Sequence, residues 1–190
     1  MSRPTVRGVT DADLPAVASI FAHYVVHTTT TFEEEPPTRA AWAHKRDDIA
    51  ARRLPFLVAE TEGQIAGYAY AAAWRDKRSY RYTAEDTVYV APGSTGRGLG
   101  RLLLEAVIQE CSRTGIRQLI AVIADSPASA ALHQACGFAE AGRLQSVGFK
   151  HGRWIDTLLM QRPLGAEGSA AAQGSADAGG SIPATCEQNL

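Results

Sequence analysis

The stretch 88–103, VYVAPGSTGRGLGRLL, constrains the fold more than any other part of the chain. An apolar strand pattern leads into a loop with four glycines, and a leucine-rich helical pattern follows at once. Glycines expose bare backbone N–H groups, and the helix dipole favours negative charge at a helix N-terminus. Arg97 and Arg101 add positive charge. The arrangement predicts a loop that binds a pyrophosphate, with a plain glycine-rich turn as the alternative.

Two common nucleotide-binding loops do not match this stretch. Gly93 and Gly98 have the separation of a Walker A loop, but Leu99 stands where that loop needs a lysine. The dinucleotide pattern GxGxxG lacks its third glycine, because Arg101 and Leu103 occupy the positions where it could fall. The spacing therefore argues against a nucleoside triphosphatase and against a dinucleotide site.

The remaining patterns predict one mixed α/β domain. Strand patterns lie at 4–9, 55–61, 64–74, 82–90, 117–123, 138–148 and 153–161, and helical patterns lie at 12–27, 38–52 and 127–136 and between Leu99 and Gly115. Strands alternate with helices in the middle of the chain, while hairpins lie on either side. A sheet of mixed direction flanked by helices is therefore expected.

Composition excludes several classes of protein. The net charge of −1 gives no general attraction to nucleic acid or to an anionic membrane. Three widely spaced cysteines, Cys111, Cys136 and Cys186, favour neither a disulfide framework nor a zinc site, so no metal is expected. The N-terminus lacks the apolar core of a signal peptide, and no apolar run is long enough to span a bilayer. These features predict a cytoplasmic protein.

The C-terminal segment differs from the rest. Residues 164–190 are rich in Ala, Gly and Ser and carry few large apolar groups. Such a segment cannot offset its ordering entropy by burial. We therefore expect a domain over 1–163 and a flexible tail over 164–190.

Several motifs resemble the GCN5-related N-acetyltransferase (GNAT) family. Gly98-Leu99-Gly100, after a strand that ends Val88-Tyr89-Val90, resembles the family's acetyl-CoA loop, in which (Gln/Arg)-x-x-Gly-x-(Gly/Ala) wraps the pyrophosphate. The segments FEEEP (32–36), TAEDTVYV (83–90), LHQACGF (132–138) and VGFKHGRW (147–154) are similar to the phosphinothricin and methionine sulfoximine N-acetyltransferases of that family. Two positions differ from the family's sequence pattern: Thr95 replaces the usual Gln or Arg, and Ser126 stands where the family often has Asn.

The resemblance covers Val6 to Pro163 and carries several implications. It implies a GNAT-like acyl-CoA N-acyltransferase fold, acetyl-CoA as co-substrate, a small-molecule amine as acceptor and a homodimer. The residues that it places at acetyl-CoA are Val88, Tyr89, Val90, Thr95, Gly96, Arg97, Gly98, Leu99, Gly100, Arg101 and Ser126.

Two residues are candidates for the proton transfer. An amine attacks a thioester only as the neutral species, so a base must first take its proton. Glu85 lies in the strand before the glycine loop, where alternation puts it on one face with Thr87 and Tyr89. His133 matches a family position proposed as a base or as a polar residue of the active site. A solvated glutamate and a packed histidine are the plain alternatives, and which residue is the base stays open.

The segment WRDKRSYRY (74–82) concentrates positive charge and aromatic rings. A nucleic-acid patch is the weaker interpretation, because the segment is short and the net charge is near zero. We expect a pocket for an anionic acceptor, since arginine can bind a carboxylate or phosphinate through two hydrogen bonds. The predicted substrate-binding residues are Phe32, Trp74, Arg75, Arg78, Tyr80 and Lys150.

The sequence therefore predicts direct acetyl transfer to the amino group of an amino acid of the phosphinothricin or methionine sulfoximine type. Two alternatives remain. The acceptor could be another small amine or a peptide N-terminus, or the chain could be a CoA-binding module without turnover.

Overall fold

The computed structural model of the protein describes residues 3–165, which form a seven-stranded mixed sheet with helices on both of its faces. The strands are β1 (Thr5–Gly8), β2 (Phe56–Thr61), β3 (Gln64–Ala73), β4 (Thr83–Val90), β5 (Gln118–Ala124), β6 (Ala139–Lys150) and β7 (Arg153–Pro163). The helices are α1 (Leu14–His27), α2 (Arg39–Ala51), α3 (Leu99–Arg113) and α4 (Pro127–Ala135). The strand order across the sheet is β1-β2-β3-β4-β5-β7-β6.

These elements confirm the mixed α/β fold predicted from the sequence, with small shifts at their ends. The predicted first helix begins as a 3-10 turn, Asp11–Asp13, before α1. Most of the predicted tail lies outside the described residues. Its first residue, Leu164, donates its backbone N–H to the carbonyl of Arg117 at 2.9 Å and packs against the core.

Alternating side chains build a different core on each face of the sheet. Tyr68 faces α1 and α2, where it joins an aromatic cluster with Trp42 and Phe56. The next residue, Ala69, faces α3 and its buried leucines. Small residues on this face let the helix lie close to the sheet. Each fully buried large apolar side chain contributes about 1.5–3 kcal/mol to folding.

The sheet is interrupted at its centre, between β4 and β5. They are the sheet's one parallel pair within residues 3–165, and only three residue pairs, 83–85 with 118–120, hold them together. β4 continues to Val90 and β5 to Ala124, so the two strands diverge beyond Glu85. An opening therefore forms in the middle of the sheet.

The start of α1 is fixed by a buried carboxylate. Asp13 accepts hydrogen bonds from the backbone N–H and the hydroxyl of Thr10, at 2.8 and 2.7 Å. The guanidinium of Arg7 in β1 donates to both of its oxygens, at 2.7 and 2.8 Å. Further along α1, the hydroxyl of Tyr24 donates to the carbonyl of Val90 at 2.6 Å. These contacts hold α1 against the strand that borders the opening.

Across residues 3–165, no helix is both long enough and apolar enough to cross a membrane.

Candidate active site

A cleft of about 500 Å³ occupies the opening where β4 and β5 diverge. Residues 85–90 of β4 and 121–124 of β5 form two of its walls. The glycine loop closes one end, and residues 30–33 between α1 and α2 line the other side. The cleft therefore receives side chains from both faces of the sheet.

The glycine loop has the geometry that an anion requires. Gly96 and Gly98 have φ angles of 75° and 79°, in the left-handed region that favours glycine. Gly98 caps α3, whose first four N–H groups have no partner within the helix. Thr95 donates its hydroxyl to the carbonyl of Pro92 at 3.2 Å, within the loop itself. The backbone can therefore supply N–H donors to a pyrophosphate without any particular side chain.

The two arginines of the loop do not form part of the cleft wall. Arg101 donates to Glu105, one turn further along α3, at 2.7 Å, and both side chains are exposed. Arg97 is likewise exposed beside the loop. The backbone of Gly96, Gly98 and Gly100 lines the cleft instead.

Glu85 lines the cleft on the face that carries α1 and α2. Burial raises the pKa of its carboxyl, and the neighbouring charge of Asp86 adds to this. The charges of Arg75 and Lys45 oppose both effects. A carboxylate with a raised pKa is a stronger base, which suits removal of a proton from an amine.

His133 lies on the other face, buried in α4, and both of its ring nitrogens are engaged. Nδ1 lies 2.7 Å from the carbonyl oxygen of Ser129, which can only accept, so Nδ1 carries a proton. Nε2 lies 2.9 Å from Oδ2 of the buried Asp86. In this arrangement His133 has no free nitrogen that could take a proton from an amine.

Asp86 and His133 form a coupled pair in the wall of the cleft. Burial raises the pKa of Asp86. Burial alone would lower the pKa of His133, but the hydrogen bond and charge of Asp86 outweigh it and raise the pKa. Oδ1 of Asp86 has no hydrogen-bond partner among the described residues. Sequence reasoning did not single out Asp86, although strand alternation puts it on the face opposite Glu85.

The other predicted cofactor residues gather at the cleft. Val88, Tyr89, Val90, Thr95 and Leu99 line it together with the loop glycines. Ser126 also lines it and caps α4 by accepting a hydrogen bond from the N–H of Ser129 at 3.2 Å.

Of the predicted substrate-binding residues, some line the cleft and others lie outside it. Phe32 lines the cleft and its ring lies directly over Gly148, where any Cβ would collide with it. Lys150 does not line the cleft; its ammonium donates to the carbonyl of Thr31 at 2.9 Å and holds the α1–α2 connection against β6.

The basic loop after β3 lies outside the cleft wall. The guanidinium of Arg75 stacks on Trp74, 4.2 Å from the ring centroid. Arg78 and Tyr80 are exposed in the following 3-10 turn. Among these residues only Arg75 affects the charge state of Glu85.

Lys45 of α2 lines the cleft and was not predicted. One signal could have found it. Trp42, Lys45 and Ile49 share a helix face by their spacing, and the first and last of them are buried. Lys45 itself is exposed, so its place on the same stripe as two buried residues is the one local sign that it reaches toward the sheet.

The cysteines in the described residues offer no nucleophile. Burial raises the pKa of the Cys111 thiol to about 12 and also raises that of Cys136. A thiol with a raised pKa has little of the reactive thiolate at neutral pH. Within residues 3–165, no group of His, Cys, Asp and Glu side chains is arranged to hold a metal ion.

A sheet opened at its centre beside a glycine loop and a helix N-terminus defines an acyl-CoA-binding fold. Residues 19–138 match the family described as the Acetyltransferase (GNAT) family. The chain belongs to this family, and it is an acetyl-CoA-dependent N-acetyltransferase.

Individual members of the family that are similar to this chain include acetyltransferases of small amino acids. The chain is 52% identical over 164 residues to a phosphinothricin N-acetyltransferase of Alcaligenes faecalis, covering 85% of this chain and 83% of the relative. It is 37% identical to an L-methionine sulfoximine/L-methionine sulfone acetyltransferase of Salmonella typhimurium, covering 84% of this chain and 94% of the relative. A crystal structure of a phosphinothricin acetyltransferase from Sinorhizobium meliloti, in complex with acetyl-CoA, has a TM-score of 0.84 and 42% identity, covering 86% and 90% of the two chains.

Proposed function

We propose that the protein acetylates the α-amino group of a small amino acid of the phosphinothricin or methionine sulfoximine type, with Glu85 as the base. The observation that carries this proposal is the position of Glu85, a half-buried carboxylate in the wall of the cleft that begins where β4 leaves β5. The relatives named above act on acceptors of this kind.

The cleft suits direct transfer. Backbone N–H groups of the glycine loop and the start of α3 bind the pyrophosphate, so the thioester lies between β4 and β5. Glu85 takes a proton from the acceptor ammonium, directly or through one water. The neutral amine then attacks the thioester carbonyl, the C–S bond breaks, and the sulfur leaves as a thiolate that takes up a proton. No covalent intermediate with the enzyme is required.

The test is CoA release from acetyl-CoA with a panel of acceptors. Phosphinothricin and methionine sulfoximine should support turnover well above simple primary amines and above a peptide with a free N-terminus. Preference for the peptide or a simple amine would replace the proposed acceptor. Calorimetric binding of acetyl-CoA without CoA release for any acceptor would favour a CoA-binding module instead.

The role of the base is tested with Glu85→Gln, which keeps the shape of the side chain and removes its charge. We expect kcat to fall by roughly 10²-fold, the usual contribution of a general base, with acetyl-CoA binding unchanged. Glu33→Gln, a second carboxylate of the cleft wall, is the matched control and should keep most of the activity.

The pH profile gives an independent readout. Because the pKa of Glu85 is raised, the wild-type rate should fall on acidification at a pH above the ordinary glutamate range. In Glu85→Gln this fall of the rate on acidification should be absent. A variant with the wild-type rate and the wild-type profile would show that Glu85 is not the base.

We also propose that the protein is a homodimer, with the contact on the β6–β7 hairpin. Four large apolar side chains of this hairpin are exposed, and we call them the hairpin patch: Leu144, Val147, Phe149 and Trp154. β6 is an edge strand, so its outer side can also pair with another chain. A second copy of the same surface is the occupant that we propose.

A cytoplasmic location is proposed as well. It is supported by the use of acetyl-CoA, a metabolite found inside cells, and by unpaired thiols at Cys111 and Cys136. Detection of the protein in an extracellular fraction of intact cells would contradict it.

A further inference from the structure

The cleft holds several carboxylates but a single flexible cation. Among the described residues that line it, Lys45 is the only lysine or arginine. Glu33, Glu85 and Asp86 line the same cleft. Away from the N–H donors of the glycine loop, an anionic group that enters the cleft therefore meets repulsion except beside Lys45.

Lys45 is held in place without an ion pair. Its Nζ donates to the hydroxyl of Tyr70 at 3.3 Å and lies 5.3 Å from the centroid of that ring. The ring of Trp42 lies 5.9 Å away. Both aromatic residues are buried, so they fix the direction of the lysine stem. Nζ makes no ion pair with a carboxylate of residues 3–165, so its charge is available to a ligand.

Lys45 and Glu85 lie close enough for their charges to interact, since the ammonium of Lys45 lowers the pKa of Glu85. An α-amino acid carries an ammonium and a carboxylate on the same carbon. With its carboxylate beside Lys45, the ammonium would lie beside Glu85. The cleft thus offers a cation, Lys45, to the carboxylate of the amino acid and a carboxylate, Glu85, to its ammonium.

We propose that Lys45 binds the α-carboxylate of the acceptor and thereby makes the enzyme select free amino acids over their amides. This inference rests on the proposed function and names the residue that decides its substrate class. It moves the expected anion contact from the basic loop after β3 to α2. An oriented carboxylate also fixes the position of the amine, on which the rate of attack depends steeply.

The experiment compares methionine sulfoximine with its amide. kcat/KM is measured for both in the wild type and in Lys45→Met, Lys45→Arg and Lys77→Met. Met keeps the length of the lysine stem against the two rings, and Lys77 is an exposed lysine outside the cleft wall. Thermal melting of each variant checks the fold.

We expect the wild type to prefer the acid by at least about 10-fold, the loss for one charge-assisted contact of about 1.4 kcal/mol. Lys45→Met should reduce this ratio to near one, mainly through a higher KM for the acid. Lys45→Arg should retain part of the preference, and Lys77→Met all of it. The ratio is the decisive readout, because a change in the pKa of Glu85 would affect both acceptors alike.

One result would overturn the proposal: Lys45→Met turns over both acceptors with the wild-type ratio. Loss of the preference in Arg75→Met, measured as a further variant, would then assign the carboxylate contact to the basic loop. A wild type that releases no CoA with any amino acid would overturn the proposed function itself, and the role of Lys45 with it.

Discussion

Glu85 and Asp86 are neighbours in the chain, but strand alternation sends them to opposite faces of the sheet. Glu85 faces the side of α1 and α2, where Lys45 and Arg75 influence its charge. Asp86 faces α4 and is tied to His133. Burial raises the pKa of both carboxyls. Asp86 is held by its hydrogen bond with His133, whereas Glu85 has no such bond to a histidine of residues 3–165. The two adjacent carboxyls are therefore suited to different tasks.

The pair of Asp86 and His133 predicts a pH-dependent change in stability. In the wild type, the pKa of His133 is higher in the folded state than in the unfolded state. Its contribution to stability is therefore fully present below the unfolded value of about 6.5 and is lost as pH rises through the folded value. Asp86→Asn removes the charge, so burial alone acts and lowers that pKa. The variant should lose stability on acidification relative to the wild type.

Urea unfolding at pH values of about 8 and about 6 provides the measurement. We expect Asp86→Asn to be near neutral at the higher pH and to be more destabilising at the lower one. Other titratable groups near the pair are Glu85 in β4, Cys111 in α3 and Cys136 in α4. The exposed Asp76→Asn is the control. A penalty that does not change with pH would contradict a protonated His133.

Sequence reasoning reached some residues of the site and not others. Glu85 and the glycines were predicted because they lie within one short stretch of chain, where a motif can be recognised. The pairing of Asp86 with His133 joins positions 47 residues apart, and Lys45 is 40 residues from Glu85. Only the packing of α2 and α4 on the sheet makes these contacts. The binding role of the basic loop stays a prediction, because local charge does not tell which way a side chain points.

At the scale of elements, Asp13 joins β1, the first turn and α1. The carboxylate accepts hydrogen bonds from Arg7 and Thr10, and those from Arg7 lower its pKa most, against the opposing effect of burial. Its contribution to stability is therefore present above the unfolded value of about 3.9 and is lost as pH falls through the lower folded value.

Asp13→Ala should destabilise the protein by about 1–3 kcal/mol at neutral pH, as expected for loss of a buried cap and its hydrogen bonds. The ion pair with the partly exposed Arg7 accounts for less of this loss than the hydrogen bonds from Thr10, because water screens the charge of Arg7. Asp48→Ala removes an exposed i,i+4 pair with Arg52 and should cost at most about 0.5 kcal/mol. Equal losses of unfolding free energy in Asp13→Ala and Asp48→Ala would refute the special role of Asp13. The loss in Asp13→Ala should become smaller below about pH 4, where the carboxylate begins to take up a proton.

The elements themselves were predictable, whereas their arrangement was not. Apolar spacing identified α3 and β5 closely, because burial of one face imposes a period on the sequence. The order of strands and the early end of the β4–β5 ladder depend on pairing between distant segments. No local pattern records where two strands stop pairing.

For the whole molecule, the hairpin patch predicts association. Phe149 and Trp154 are 55% and 67% exposed, a large apolar area for a monomer surface. We expect the wild type to elute as a dimer in size-exclusion chromatography with light scattering, and the double variant Phe149→Ser, Trp154→Ser to elute as a monomer. Val26→Ser, which removes an exposed apolar side chain from α1, should stay dimeric. A wild type that is monomeric at micromolar concentration would rule out the dimer.

The opening at the centre of the sheet also bears on how such an enzyme can diversify. In the binding mode proposed above, its donor side is built by the glycine loop, α3 and α4, and its acceptor side by α2 and the connection from α1. The two sides belong to different cores on opposite faces of the sheet. Substitutions that reshape the acceptor side therefore leave the packing behind the donor side largely undisturbed. A lineage can exchange one amine for another while it keeps the same acetyl donor, and Lys45 stands on the side that is free to change.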